Sequence, residues 1–167
     1  MKRAEIIDML GVVMFKRVLL CYDGSTVGRR ALKRGAELGL LLGAEIHVLS
    51  VIPSTAPNSA LVAGALGHVC LVNDEHDYAR LLAESLEWLK ARGVADPHGY
   101  LVTGNTIDQI AAYAKKLQTD LIVLSHYPQP AGGFWWSGPQ RESLAERTNC
   151  CIFVAVNADD GAPVPLK

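Results

Sequence analysis

The residues best placed to do chemistry gather around one stretch. Thr103–Ser125, TGNTIDQIAAYAKKLQTDLIVLS, runs an amphipathic helix straight into a short apolar strand. The segment that follows, His126–Gly138, is polar and rich in glycine and proline, and it feeds another helix. In an open α/β sheet, ligands bind just beyond the carboxyl ends of the strands. Backbone N–H groups in such a loop, together with those at the next helix start, could hold a phosphate. Gly132-Gly133 could form a phosphate-cradling nest, although such a pair more often serves as a hinge. His126, at the strand end, has neither an acid nor a nucleophile paired with it in the motif, and reads as a loop residue rather than a catalyst. Trp135 and Trp136 either wall the pocket or make a dimer or partner contact, and the contact is the preferred reading.

A second polar break, Asp23-Gly24-Ser25-Thr26, follows the apolar run Arg17–Tyr22. Asp, Ser and Thr cap helices well, and Gly24 permits a tight turn. Cys21, Cys70, Cys150 and Cys151 show no CxxC pattern and no metal-ligand spacing. Cys150 and Cys151 are neighbours, where a disulfide would be strained, and alternation in a strand would send one inward and one outward. The five histidines are scattered, with no His-x3-His pair and no acid cluster, so no metal site is expected. Asp74-Glu75-His76-Asp77 reads as the solvated start of a helix, where negative charge suits the dipole.

Half of the 167 residues are apolar and 20% are charged, which suits a single domain with a real core and argues against disorder. A net charge of −1 gives no broad attraction to nucleic acid or to an anionic membrane. The apolar runs are short and interrupted, so no membrane span is expected. Met1–Val13 carries Glu5 and Asp8 where a secretory signal needs an apolar core, so a cytoplasmic location is expected.

The elements alternate. Arg17–Tyr22 and Glu45–Ile52 are buried strands, the second ended by Pro53. Between them runs a helix with Ala31, Leu32, Gly35, Ala36, Leu38, Gly39 and Leu42 at helical spacing, stopped at Gly43. Ser54–Cys70 is an excursion with at most a short helix. Asn73–Arg92 is a helix whose inner face is Tyr78, Leu81, Leu82, Ser85, Leu86 and Leu89. His98–Val102 is a shorter, more polar strand for a sheet edge. Asn105 or Thr106 caps the next helix, with Ile107, Ile110, Ala111 and Ala114 as its stripe. Leu121–Ser125 is the fourth strand, Glu142–Asn149 a last helical turn or two, and Ile152–Val156 the fifth strand. Residues 1–13 form an extension, 14–157 the domain, and 158–167 a tail. Strand–helix–strand repetition implies parallel pairing with right-handed crossovers.

Four pieces in this order resemble the universal stress protein family: FKRVLLCYDGS at the first strand, Gly104-x-Thr106 leading to Ile110, Thr119–Val123 entering the fourth strand, and Ser143–Arg147 before the last. The resemblance covers Phe15 to Asn157. It implies a single-domain, adenine nucleotide alpha hydrolase-like α/β fold: an open five-stranded parallel sheet of order 3-2-1-4-5 with helices on both faces. It also implies homodimers made through the last strand, 152–156. Many members of the family bind ATP with a G-x2-G-x9-G-[ST] loop after the fourth strand. By that resemblance Asp23 matches an acid near the nucleoside, while Val51 and Ile52 lie where the adenine slot would be, a place that ordinary strand core also explains.

The loop departs from the family pattern. Ungapped from the strand, its glycine positions fall on Ser125, Pro128 and Gly138, with Pro139 next; His126 matches part of the same region. Aligned backward from the last helix, the final pair becomes Glu142 and Ser143. Pro128 has no N–H to give. A carboxylate ~4 Å from a phosphate charge is repelled by roughly 4 kcal/mol at an effective dielectric of ~20. That is about three powers of ten in affinity. The reading is therefore a non-catalytic binding and signalling protein, a homodimer, with an altered pocket in which ATP or AMP binds weakly or not at all. The pocket residues are Asp23, Val51, Ser125, His126, Gly138 and Ser143. The alternative is an ATP-binding member with slow or no hydrolysis. An adenylating enzyme would need a Ser-Gly-Gly-type turn after the first strand, and a phospho-receiver an acid ending the third; neither is present.

Overall fold

A computed structural model describes residues 15–54, 75–126 and 138–156. Gly132-Gly133, Trp135, Trp136, Pro128, nearly all of the Ser54–Cys70 excursion, the N-terminal extension and the C-terminal tail lie outside the described residues. The elements are β1 (Arg17–Cys21), α1 (Thr26–Leu42), β2 (Glu45–Pro53), α2 (Glu75–Ala91), β3 (His98–Gly104), α3 (Thr106–Leu117), β4 (Leu121–His126), α4 (Gly138–Arg147) and β5 (Cys151–Val156). All strand pairs are parallel, in the order β3-β2-β1-β4-β5, as expected.

The continuous apolar runs of β1 and β4 follow from burial on both faces. Val18, Leu20, Ile46, Val48, Leu121 and Val123 face α1 and α2, meeting Leu32, Ala36, Leu81, Leu82 and Leu89. Leu19, Leu49, Val51, Ile122 and Leu124 face the other way, against Ile110, Ala111 and Ala114 of α3 and Leu144 of α4. Tyr78 and Leu86, expected on the inner face of α2, are half-buried. Gly35 lets α1 ride close to the sheet, since a Cβ there would run into Leu20 and Val123.

Polar anchors fix the starts of the central strands. One carboxylate oxygen of Asp120 accepts the backbone N–H groups of Lys16 and Arg17 at 2.7 and 2.8 Å. The Asp120 carbonyl accepts the Cys151 N–H at 2.9 Å. Asp120 thereby ties the entries of β1, β4 and β5 together.

Several boundaries differ from the sequence reading: β1 ends at Cys21 rather than Tyr22, β4 takes in His126, which was expected in the loop, and β5 begins at Cys151 rather than Ile152. Pro53 is the last residue of β2 and sits in register with Gly104, so β3 runs on past Val102. Of the two cap candidates for α3, Asn105 does the work, accepting the Asp108 N–H at 3.2 Å, and Thr106 is the first helical residue. The last helix begins at Gly138 rather than Glu142 and ends at Arg147 rather than Asn149. Proline is tolerated in a helix's first turn, where its missing N–H would have no partner anyway, so Gly138-Pro139 opens α4 instead of postponing it.

Candidate functional site

The carboxyl end of β1 is held by hydrogen bonds to β2. The Tyr22 N–H donates to the Leu49 carbonyl at 2.9 Å, and the buried Ser50 hydroxyl donates to the Tyr22 carbonyl at 2.8 Å. Burial pushes the Tyr22 phenol above its usual range, opposed by the nearby Arg29 guanidinium. The chain then turns through Gly24, whose φ of 79° suits glycine, into Ser25, the N-cap of α1.

Asp23 belongs to that cap. Its Oδ1 accepts the Ser25 N–H at 3.0 Å and the Ser25 hydroxyl at 2.7 Å, while Ser25 Oγ accepts the Gly28 N–H at 2.8 Å. Gly28 is where the helix makes room for the carboxylate: a Cβ there would overlap Asp23 Oδ1. Ser25, Ser50 and Gly28 were not singled out as site residues from sequence. The only signal for them was the Asp-Gly-Ser turn itself.

Strand register brings three of the expected residues level. Cys21 pairs with Leu49 and Leu20 with Val123. Continuing both registers sets Asp23 beside Val51 on one side and His126 on the other, with Ser125 beside Tyr22. Val51 is buried in the core cluster under α3, so strand core accounts for it. Ser125 is also buried, in register with Ala155, and His126 is in register with Val156.

Gly138 and Ser143 occupy different parts of α4. Gly138 is its first residue, whereas Ser143 is half-buried more than a turn in, just before the fully buried Leu144. Only the first four N–H groups of a helix lack intrahelical partners. Those positions are Gly138, Pro139, Gln140 and Arg141. Of the two loop registers, the one ending on Gly138 coincides with the first turn of α4, and Glu142-Ser143 falls behind it. Pro139 removes one donor from the set. α4 is tied to α3 by Arg147, whose Nη1 donates to Asp108 Oδ1 at 2.7 Å.

Two further clusters lie at the opposite, amino-terminal end of the sheet. His47 of β2 is buried, its Nδ1 is 3.3 Å from the Tyr100 hydroxyl, and its ring stacks on His98 with centroids 5.1 Å apart. The Nε2 atoms of His47 and His98 lie 3.8 and 3.6 Å from the same Glu45 oxygen. Burial pulls the His47 pKa below its ordinary value, with Glu45 opposing. No group of three or more His, Cys, Asp or Glu among the described residues could hold a metal. The second cluster is an open depression of about 490 Å³ lined by Phe15, Asp120, Thr148, Asn149, Cys150 and Cys151.

The universal stress protein family model matches residues 14–155. The chain belongs to the universal stress protein family. Solved structures of universal stress proteins share the fold. One, crystallised in complex with cAMP, is 19% identical at a TM-score of 0.62, over 85% of this chain and 97% of that one. UspA from Lactobacillus plantarum is 18% identical at 0.63, over 83% and 96%. A family protein from Burkholderia pseudomallei is 18% identical at 0.59, over 85% and 96%. No curated protein matches the chain by sequence. No helix among the described residues is long and apolar enough to cross a membrane.

Proposed function

We propose that this chain is a non-catalytic universal stress-type binding and signalling protein, a homodimer, whose nucleotide pocket holds ATP weakly or not at all. One observation carries the reading: α4 begins at Gly138-Pro139, so one of its four free amide positions is an imino acid. A triphosphate needs several converging N–H donors, and each missing donor leaves charge desolvated without a partner. The position of Asp23 adds to this. Its Oδ1 already accepts the Ser25 N–H and hydroxyl, so a nucleoside hydroxyl directed at that oxygen would compete with two short hydrogen bonds.

A second reading is a mononucleotide site. The structural neighbour solved with cAMP motivates it. A ligand with a single phosphate charge asks for fewer donors than ATP, so the same reduced amide set would suit it better. AMP falls in the same class.

For the dimer, the supporting feature is the outer edge of β5. Phe153 is 39% exposed there, and Ile152 and Val154 are half-buried. Among the described residues no strand lies beyond β5, and an apolar edge strand invites pairing with a second copy. Trp135 and Trp136 are candidates for widening that contact. The protein is proposed to act in the cytoplasm.

Extraction of small molecules from freshly purified protein, followed by mass spectrometry, tests the reading. It predicts no stoichiometric ATP. One ATP per chain would overturn it, and one AMP or cyclic nucleotide per chain would establish the second reading.

A further inference from the structure

β3 is an edge strand: among the described residues it pairs with β2 alone. His47 and His98 stand opposite each other where that pairing begins. Successive side chains alternate along a strand, so His47 shares a face with Leu49 and Val51, and His98 with Tyr100 and Val102, the face that α3 covers. The two rings stack with centroids 5.1 Å apart. His47 is buried, and its Nε2 has no hydrogen-bond partner among the described residues. A buried polar atom left in that state calls for a reason.

The charged and titratable groups around the pair come from four elements and the turn before β3. Glu45 of β2 sets Oε1 3.8 Å from His47 Nε2 and 3.6 Å from His98 Nε2. Arg17 of β1 holds the other oxygen of that carboxylate through Nε at 3.2 Å. Asp96, in the turn, has Oδ2 3.8 Å from His98 Nε2. Tyr100 of β3 places its hydroxyl 3.3 Å from His47 Nδ1. From α3, the Tyr113 ring lies 5.2 Å from that of Tyr100, with Lys116 Nζ 5.0 Å from the Tyr113 centroid.

A neutral imidazole carries one N–H. The arrangement that serves both nitrogens of His47 puts it on Nε2, facing Glu45, while the Tyr100 hydroxyl donates to Nδ1. A second proton must then go on Nδ1. It turns the Tyr100 hydroxyl from donor to acceptor and puts a charge inside the sheet. With His98 protonated as well, Arg17, His47 and His98 all share the one Glu45 carboxylate. Burial disfavours the charged His47 ring most; Glu45 opposes that, and His98 and Arg17 reinforce it. Parting the strands relieves both costs, because His47 meets water and the rings separate. β2 remains paired with β1, so the edge strand is the one that leaves.

We propose that the His47–His98 stack is a pH-sensitive latch: falling pH releases the start of β3, residues 98–101, from β2 while the rest of the sheet stays folded. Such local openings lie below global unfolding in free energy. The latch goes beyond the nucleotide reading and does not rest on it.

Hydrogen exchange of the unaltered, full-length chain, read by mass spectrometry between about pH 7.5 and 5 with and without sub-denaturing urea, tests it. Protection factors remove the pH dependence of the intrinsic exchange chemistry. Across residues 98–101 exchange should be faster than across residues 18–20 of β1 and 121–124 of β4. It should barely respond to urea, since a local opening exposes little surface. The open state takes up a proton at His47, so protection there should fall about tenfold per pH unit below about pH 6.5, levelling off once the ring is charged in the closed sheet. His47→Gln should make that profile flat. Glu45→Gln removes the acid that favours the charged ring, so the fall should continue to lower pH than in the parent. Protection of β3 that does not change with pH would overturn the proposal. So would β3 exchange as steeply dependent on urea as that of β1, or either variant keeping the parent's profile.

Discussion

Asp23 and Gly28 meet where α1 leaves the sheet: the helix carries no Cβ at the point where the carboxylate Oδ1 rests, and that oxygen accepts from Ser25 at 2.7 and 3.0 Å. Gly28→Ala would normally favour a helix by about 1 kcal/mol. Here the added methyl displaces the Asp23 carboxylate and also approaches Ser25 Oγ at 3.1 Å. The expected net effect is destabilisation of about 1–3 kcal/mol. Urea denaturation measures it, and an alanine variant more stable than the parent would refute the packing.

Ser25→Ala removes the hydroxyl that accepts the Gly28 N–H and donates to Asp23 Oδ1. A loss of about 1 kcal/mol is expected. Ser25→Asp should recover most of the cap but place a second carboxylate beside Asp23, so it should fall short of serine. Thermal and urea denaturation of the two variants would rank them.

Leu144 is fully buried and is the residue through which α4 enters the core under α3. Leu144→Ala should cost about 2–5 kcal/mol. It should also loosen the Gly138 end of the helix, seen as faster amide exchange across Glu142–Arg147 than in the parent.

His47 predicts a pH dependence. Burial holds its folded pKa below the ordinary histidine value of 6.5. The folded state thus binds fewer protons than the unfolded chain in that range, and stability rises with pH there. Its contribution is complete above about pH 6.5 and is lost as pH falls toward the depressed folded value. Glu45 opposes the shift, His98 and Arg17 reinforce it, and the Tyr100 hydroxyl faces Nδ1. His47→Gln should flatten the slope of urea midpoints between about pH 7.5 and 5, and His98→Gln, which removes only one of the reinforcing groups, should flatten it less.

Phe153 stands 39% exposed on the outermost strand. Phe153→Glu puts a charge on the face proposed for pairing. Sedimentation velocity should show the parent as a dimer and the variant shifted to monomer. Identical sedimentation of the two would move the contact elsewhere.

The fold was readable because its signals are physical and uninterrupted. Val18–Leu20 and Leu121–Leu124 are apolar throughout since both faces are covered, and Leu81, Leu82, Ser85 and Leu89 keep helical spacing on the inner face of α2. What failed was local. Gly138-Pro139 resembles a loop signal, yet a proline fits a first helical turn, so the start of α4 moved by a turn. The Asp23–Gly28 contact depends on how closely a helix approaches a turn, which periodicity does not encode. His47 and His98 are far apart in sequence and become neighbours only through the β2–β3 register. The single hint was a histidine inside the apolar run Ile46–Leu49.

Isothermal titration calorimetry of nucleotide-stripped protein with ATP and Mg²⁺ tests the central claim most directly. With Pro139 among the free amide positions of α4 and Asp23 committed to Ser25, the expected result is heat no greater than dilution at micromolar concentrations. A dissociation constant of micromolar or tighter, at one ATP per chain, would contradict the account.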